Sequence, residues 1–483
     1  MITPILRRGG SEPLYEQIYA YIKEEIEGGR LASGERLPSK RKLATHLNIS
    51  QNTVENAYAQ LVAEGYVDSM PKRGYFIGLV EPVSGGISEN SRITRTIHKK
   101  TGGQNVKFAN ESGRSAGIGG LVSGFEIFDM KTNTVDAEHF PYATWNRLMR
   151  ENIKAGGQGL LEQSFPQGNE RLRGEIVRYL REYRAIDVHP EQIILGAGME
   201  HLLGLVVDLF PDATFAYENP GYHKVSAVLE TRGVKAHPIP VDESGLSAGA
   251  LRESGADISF ITPACHFPLG VTMSFPRRQQ ILSWVHENPN SYIIEDDYGS
   301  EFRFAFKPVP SLHSLDRQDK VIYINTFANT LAPSLRIAYM VLPPKLLETY
   351  MRRLSFYSCS VSEFEQQILS AFFSGGYYER HLSRMRKLYR GRRDALVSAL
   401  SPLGDRLEIR GQESGLHLLL SVRGLLEAEL VSRAEAAHVR LYPLSDFYAG
   451  GGADGRTVVA GFAGLSSETL MEVGALLSNA WNI

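Results

Sequence analysis

Cysteine is scarce. Cys265 and Cys359 are the only two in 483 residues, too few for a disulfide framework or a four-thiolate metal site. No metal site is expected, and a reducing, cytoplasmic location is. Long apolar runs are also missing. The most hydrophobic stretches, such as HLLGLVVDLF at 201–210, are cut by charge well short of bilayer length, so no membrane span is expected. The opening MITPILRRGGSEPLYEQ has neither an apolar core nor a small-residue cleavage site, so no secretory leader is expected. An excess of one charge is absent as well. With 52 Lys and Arg against 54 Asp and Glu, the formal net charge is -2, and a nucleic-acid partner has to be argued from a local patch.

What is present is length and alternation. A chain of 483 residues exceeds one ordinary core, and its pattern divides into three parts. Residues 1–78 carry an amphipathic helix over 13–29 (Leu14, Ile18, Tyr21, Ile22, Ile26), two further helices over 39–46 and 51–64 with cap-like Ser39 and Ser50, and an alternating hairpin in MPKRGYFI. Residues 79–122 are rich in Gly, Ser, Thr, Asn and basic side chains without lasting period, which reads as a linker. Residues 123–483 alternate short β-rich runs with helical stretches: QIILGAG then HLLGLVVDLF, ATFAYENP then HKVSAVLETRG, DISFITPA then RRQQILSWVHENP, SYIIEDDY, and VIYINTF. That alternation predicts an α/β fold, a mostly parallel sheet with helices on both faces, with ligands at the carboxyl ends of the strands.

The helix, tight helix pair and hairpin of the first part are the grammar of a winged helix-turn-helix. Its chemistry sits where DNA would be met: Ser39, Lys40 and Arg41 (with Lys42) at the start of one helix, Gln51, Asn52 and Thr53 at the start of the next, and Lys72, Arg73 and Gly74 at the wing tip. A small helical subdomain docked on the body is the plainer alternative. The blocks LPSKRKLA, SQNTV and AYAQLVAEGYV resemble the GntR-type DNA-binding domain over the first 78 residues. Gln51 departs from the Arg common there; the loss of charge weakens phosphate attraction, and Gln pairs naturally with adenine.

In the body the strand ends carry the polar groups. The turn LGAGMEH, containing Gly198, leads into a helix whose free N–H groups could cradle an anion. A carboxylate at a buried strand end, Asp296 in IIEDDYGSEF, is costly unless it meets a cation or a protonated ring. For a ligand with a pyridine nitrogen, Asp296 would hold the ring proton, Tyr298 would reach a ring hydroxyl, and Tyr222 would stack on or border the ring. The alternatives are ordinary: Asp296 paired with a structural arginine or capping a helix, and the tyrosines as core residues.

The ordered blocks FPQGNERLRGEIVRYLREYR, PEQIILGAG, ENPGYHK, ITPACHFPLG, EDDYGSEFRF, TFANTLAPSLRIAYMVLP and RMRKLYRGRRDAL resemble the fold-type I aminotransferases across 125–480. With the N-terminal domain, the whole resembles the MocR/GabR-like regulators, which join a GntR-type domain to an aminotransferase-like body. The resemblance implies a pyridoxal 5'-phosphate (PLP) pocket, with Asp296 at the pyridine nitrogen, Tyr298 at the ring hydroxyl, Thr326 and Arg336 at the phosphate and Tyr222 near the ring. It further implies a smaller C-terminal α+β subdomain and a homodimer, with domain swapping permitted by the linker.

Asn329 stands where the resembled family has its Schiff-base lysine. An amide is not a usable nucleophile, so covalent anchoring and the proton-shuttling base are lost together, and no catalytic residue is assigned. Glu200, at the start of the phosphate-side helix, would repel a phosphate dianion unless it turned away. Cys265 and His266 also differ from the residues usual beside the ring. Arg456 in DGRTVVAG is the candidate for an effector carboxylate, with an exposed loop arginine as the alternative; Lys224, after PGYH, reads as a solvated lysine, with a second anion contact as the alternative. The expected function is a regulator of double-stranded operator DNA whose body senses a small effector: PLP, a PLP-amino acid adduct, an amino acid or another small anion, held without a covalent bond. A ligand-blind dimerisation scaffold is the second reading and a PLP-dependent aminotransferase the third.

Overall fold

Strands buried on both faces set the architecture. The computed structural model describes residues 13–27, 30–32, 34–47, 49–63, 66–70, 74–77, 127–156, 160–304 and 309–482. The expected linker at 79–122 lies outside the described residues.

Eight strands form the central sheet, in the order Ile193–Gly196, Ala338–Val341, Val321–Thr326, Tyr292–Asp296, Ile258–Ile261, Phe215–Asn219, Ala236–Asp242 and Gly245–Leu246. The run from Val321–Thr326 to Ala236–Asp242 is parallel throughout. Ala338–Val341 runs antiparallel between Val321–Thr326 and Ile193–Gly196, and Gly245–Leu246 closes the far edge antiparallel. The sheet is therefore mostly parallel, as the alternation predicts. Ala236–Asp242 was less legible because it contains Pro238 and Pro240, which a central strand does not tolerate; it lies next to the last strand, where ladder hydrogen bonds are few.

Helices cover both faces, and a second core joins the sheet to a C-terminal subdomain. There an antiparallel sheet runs in the order Leu407–Arg410, His417–Val422, Thr457–Gly461 and Tyr442–Pro443. The helix Tyr377–Ala399 packs on Ser467–Trp481 so closely that a Cβ at Gly474 would lie 2.4 Å from Ala399 Cβ. Trp481 is fully buried, its indole N–H donating to the Leu430 carbonyl at 3.1 Å.

The N-terminal unit folds as expected: helices Leu14–Glu27, Lys40–Leu47 and Gln51–Ala63, then an antiparallel hairpin of Val67–Met70 with Gly74–Ile77. Ser39 Oγ accepts the Lys42 N–H and Ser50 Oγ the Thr53 N–H, so both serines cap their helices. Ile18, Ile22, Ile26, Val54, Tyr58 and Leu61 make its core. Phe275 of the body is buried with that core, its ring stacked on Tyr66 at 4.0 Å.

Beneath the strand ends lies a polar cluster. Asp297 Oδ2 is 2.7 Å from Arg184 Nη2, with both side chains almost completely buried, and accepts from Tyr323 (2.5 Å) and Ser300 (3.0 Å). Burial opposes the charge on Arg184, but Asp297 outweighs it and holds the guanidinium protonated. Removing one partner of such a pair strands the other. Arg184→Met is expected to cost about 3–5 kcal/mol, read as a lower denaturant midpoint, and an unchanged midpoint would contradict the pair's role.

Candidate functional site

Three consecutive acids end the strand Tyr292–Asp296 and the residue after it, and each has a different fate. Glu295 accepts the N–H groups of Leu312 and His313, both at 2.9 Å, at the start of a short helix. Asp297 pairs with Arg184. The two ordinary explanations for a buried acid here, helix cap and arginine partner, are thus taken by its neighbours. Asp296 faces a cavity of about 240 Å³. It is 7% exposed, and its Oδ1 has no hydrogen-bond partner among the described residues. Burial raises its pKa well above the usual carboxylate range, and Asp297, Glu218 and Glu200 push it further in the same direction.

The strands that flank Asp296 supply the rest of the lining. Val321–Thr326 ends in Thr326, followed by Ala328 and Asn329; Ile258–Ile261 leads to Thr262 and Phe267; and Phe215–Asn219 leads to Tyr222, His223 and Lys224. Gly198, Met199, Glu200 and Arg336 close one end. Of the residues expected at a cofactor, Gly198, Tyr222, Asp296, Tyr298, Thr326, Asn329 and Arg336 all line this one cavity. The buried Tyr298 hydroxyl has no nitrogen or oxygen partner among the described residues and lies against the Cys265 thiol. Asn329 donates to the Tyr298 carbonyl at 3.4 Å, and Thr326 Oγ1 accepts the Ala328 N–H at 3.2 Å.

The closed end has its own construction. Gly198, at φ +97°, precedes the helix Met199–Leu209, and a Cβ there would lie 2.2 Å from Arg336 Nη2. Only glycine leaves room for that guanidinium. Arg336 itself takes a left-handed backbone, φ +51°, uncommon for a residue with a side chain. Its Nη2 donates to the Ala197 carbonyl at 3.0 Å and to Glu200 Oε2 at 2.7 Å, while Lys224 Nζ donates to Glu200 Oε1 at 2.7 Å. Burial would raise the Glu200 pKa, but the bonds from Lys224 and Arg336 outweigh it and hold the carboxylate at about 2.

Several expectations are corrected. Glu200 binds Arg336, and Lys224, though exposed at the surface, contacts the same carboxylate, so its role is the anion contact and not only a solvated lysine. Arg456 is not brought to the cavity: it is exposed, following Gly455 in a turn where its N–H donates to Asp454. Cys265 and His266 are buried behind the lining. His266 is held neutral by burial, its pKa lowered to about 3, and its Nε2 lies 3.7 Å from Glu218, whose pKa burial raises to about 7. Phe267 was not foreseen. It stands edge-on between Tyr222 (5.9 Å) and Tyr298 (6.5 Å), and an apolar residue inside the loop ITPACHFPLG carries no sequence signal for that position.

These residues fit one part of PLP. The free Asp296 Oδ1 and the Tyr298 hydroxyl, which has no nitrogen or oxygen partner among the described residues, suit a protonated pyridine ring bearing a hydroxyl, with Tyr222 and Phe267 as apolar borders. The other two ends do not fit: Asn329 offers no amine to an aldehyde, and the cationic end already holds a carboxylate.

On the N-terminal unit, Ser39, Arg41, Gln51 and Asn52 are exposed and Thr53 is half-buried. Lys40 is bound to Glu55 at 2.6 Å. At the wing tip Gly74 starts a strand, and Lys72 and Arg73 lie outside the described residues.

Residues 127–473 match the aminotransferase class I and II family, and residues 14–77 match the bacterial regulatory proteins of the gntR family. Over its full length the chain is 38% identical to an uncharacterized HTH-type transcriptional regulator, YdeL of Bacillus subtilis, with all of both chains covered. It is 31% identical to a probable rhizopine catabolism regulatory protein, MocR of Rhizobium meliloti, covering 97% of this chain and 94% of that one. Among solved structures, the kynurenine aminotransferase of Pyrococcus horikoshii, described in complex with PMP, superposes with a TM-score of 0.66 at 24% identity, over 74% of this chain and 91% of that one. No helix among the described residues is long and apolar enough to cross a membrane.

A buried acid with no cationic partner and one oxygen unbonded among the described residues makes a pH prediction. Because the folded pKa of Asp296 is raised above the unfolded value of about 3.9, folding takes up a proton and wild-type stability falls as pH rises past that value. Asp296→Asn removes this loss. The variant is expected to melt higher than wild type, by more at about pH 8 than at about pH 5. A gain that shrinks with rising pH, or none, would show that Asp296 has an internal partner.

Proposed function

We propose a function from one premise: this chain belongs to the aminotransferase class I and II family, and its aminotransferase-like body follows a gntR-family DNA-binding domain. The protein is a DNA-binding transcription regulator in which residues 1–78 address the operator, 79–122 are a linker, and 123–483 bind a small effector and dimerise. The effector carries a protonatable aromatic nitrogen and is held noncovalently. The observation that carries this reading is the pair of buried polar groups, Asp296 Oδ1 and the Tyr298 hydroxyl, left without nitrogen or oxygen partners at one cavity. A bound ring that brings its own proton neutralises Asp296 and accepts or donates at Tyr298.

The body does no transamination in this account. Asn329 has no nucleophilic amine, and its amide cannot act as the base, while His266 is buried behind the lining and held neutral. The scaffold reading draws on the same Asn329 and on Glu200, but it leaves Asp296 and Tyr298 as unpaid costs, since a pocket with no ligand would be more stable with both replaced. PLP, a PLP-amino acid adduct and the free pyridine-ring vitamers are the first compounds to test.

Two further features support regulation by a dimer. Leu161, Phe165, Phe356 and Tyr357 are exposed apolar side chains, and the Gln163–Ser358 hydrogen bond brings their two segments together, which suits a second copy. The loop that carries Thr262 and Phe267 leads into the helix opened by Phe275, the residue stacked on Tyr66 of the DNA-binding unit. Arg278 fixes that loop by donating to the carbonyls of Pro263 (2.6 Å), Met273 (3.0 Å) and Pro310 (2.8 Å). A ligand that moves Phe267 therefore has a packed route to Tyr66.

Titration with a panel of pyridine-ring compounds tests the ligand. A saturable spectral shift with no borohydride-reducible mass on the protein is the expected result, and a reducible adduct would overturn noncovalent binding. On the DNA side, Arg41→Ala is expected to weaken binding to a random-sequence duplex and to lower the slope of log affinity against log salt by about 0.9. An unchanged slope would remove Arg41 from the phosphate contacts.

A further inference from the structure

The cationic end of the cavity is built as an anion site and is already filled. A helix N-terminus, one guanidinium and one ammonium converge there, the set that would receive a phosphate. The anion they receive is the Glu200 carboxylate. Each of its oxygens takes one cation, Oε2 from Arg336 and Oε1 from Lys224, both at 2.7 Å. Glu200 also lies in the first turn of Met199–Leu209, where the helix dipole favours negative charge. Gly198 keeps the arrangement possible, since any Cβ there would collide with Arg336 and come within 3.1 Å of Glu200 Oε2.

We propose that Glu200 is an internal substitute for a ligand phosphate, so that the effector is an unphosphorylated nitrogen heterocycle bearing a ring hydroxyl. The inference rests on the ring-site reading above and adds a specificity determinant to it. A phosphorylated ligand would have to expel a carboxylate from two cations and then sit beside it. An unphosphorylated ligand leaves the Glu200 triad intact and uses Asp296, Tyr298 and the Tyr222 and Phe267 rings alone. The remaining polar groups agree with this division. Asp296 is unneutralised at the ring end, whereas Arg336 and Lys224 each have an anionic partner, so the cavity asks for a proton donor and not for an anion.

The test compares pyridoxal with PLP on full-length protein, by calorimetry or fluorescence, for wild type, Glu200→Gln and Glu200→Ala. Wild type is expected to bind pyridoxal at least as tightly as PLP. Both variants are expected to shift the affinity ratio toward PLP by about tenfold, with the shift reduced at high salt. Two substitutions guard against a local folding defect in either, and a thermal melt of each checks it. A wild-type preference for PLP, or a ratio that both variants leave unchanged, overturns the inference while leaving a ring sensor standing. Failure of all three proteins to bind either compound overturns the ring-site reading and this inference with it.

Discussion

Everything at this site follows from the cost of one carboxylate. Asp296 sits in the buried strand Tyr292–Asp296 with acids on either side, and its neighbours consume the local means of paying for negative charge. Glu295 has the N–H groups of a helix start, Asp297 has Arg184, and Asp296 has the Tyr298 backbone N–H but no cation among the described residues. A fold that keeps such a group holds a standing attraction for a protonated ligand. The parallel strands point that attraction into a cavity, because their carboxyl ends share one edge of the sheet and deliver Thr262, Asp296, Thr326 and Tyr222 to it.

The same economy explains the opposite end. Arg336 and Lys224 would be unpaired cations at the mouth of the cavity, and Glu200 satisfies both. The body is thus polarised, with charge balance achieved internally where the aminotransferase fold would receive a phosphate, and left open where it would receive a ring. Asn329, which lines the same cavity, carries an amide and offers no nucleophilic amine there. A cavity with an amide at Asn329, an internally paired cationic end and an open acid at Asp296 is suited to recognition, and its fusion to a gntR-family unit gives recognition something to regulate.

Much of this was legible in the chain. The spaced blocks of the N-terminal unit and the apolar strand runs forecast helices and strands to within a residue or two, because caps such as Ser39 and Ser50 and turns such as LGAG mark their ends chemically. That Asn329 would line the cavity followed from its place just after the strand VIYINT, whose carboxyl end faces it. What could not be read were directions and pairings. Sequence places three acids in a row but does not say which one faces the cavity; that is set by the half-turn of a strand against its neighbours, with Ile324 opposite Asp296. Nor does it say that Glu200 folds onto Arg336, 136 residues away, or that a glycine-rich turn carries Arg456 outward. Phe267 was hidden because an aromatic in a loop looks like any other until its ring is seen between two tyrosines.

The central claim, that the body recognises a ring by Asp296 and holds it without a covalent bond, is tested most directly by a crystal structure of the protein grown with pyridoxal. The account predicts density for a ring between Tyr222 and Phe267, with its nitrogen at hydrogen-bond distance from Asp296, no bond to Asn329, and the Arg336–Glu200–Lys224 contacts unbroken. A ring attached to any side chain, a ring whose nitrogen points away from Asp296, or an empty cavity at saturating ligand would contradict it.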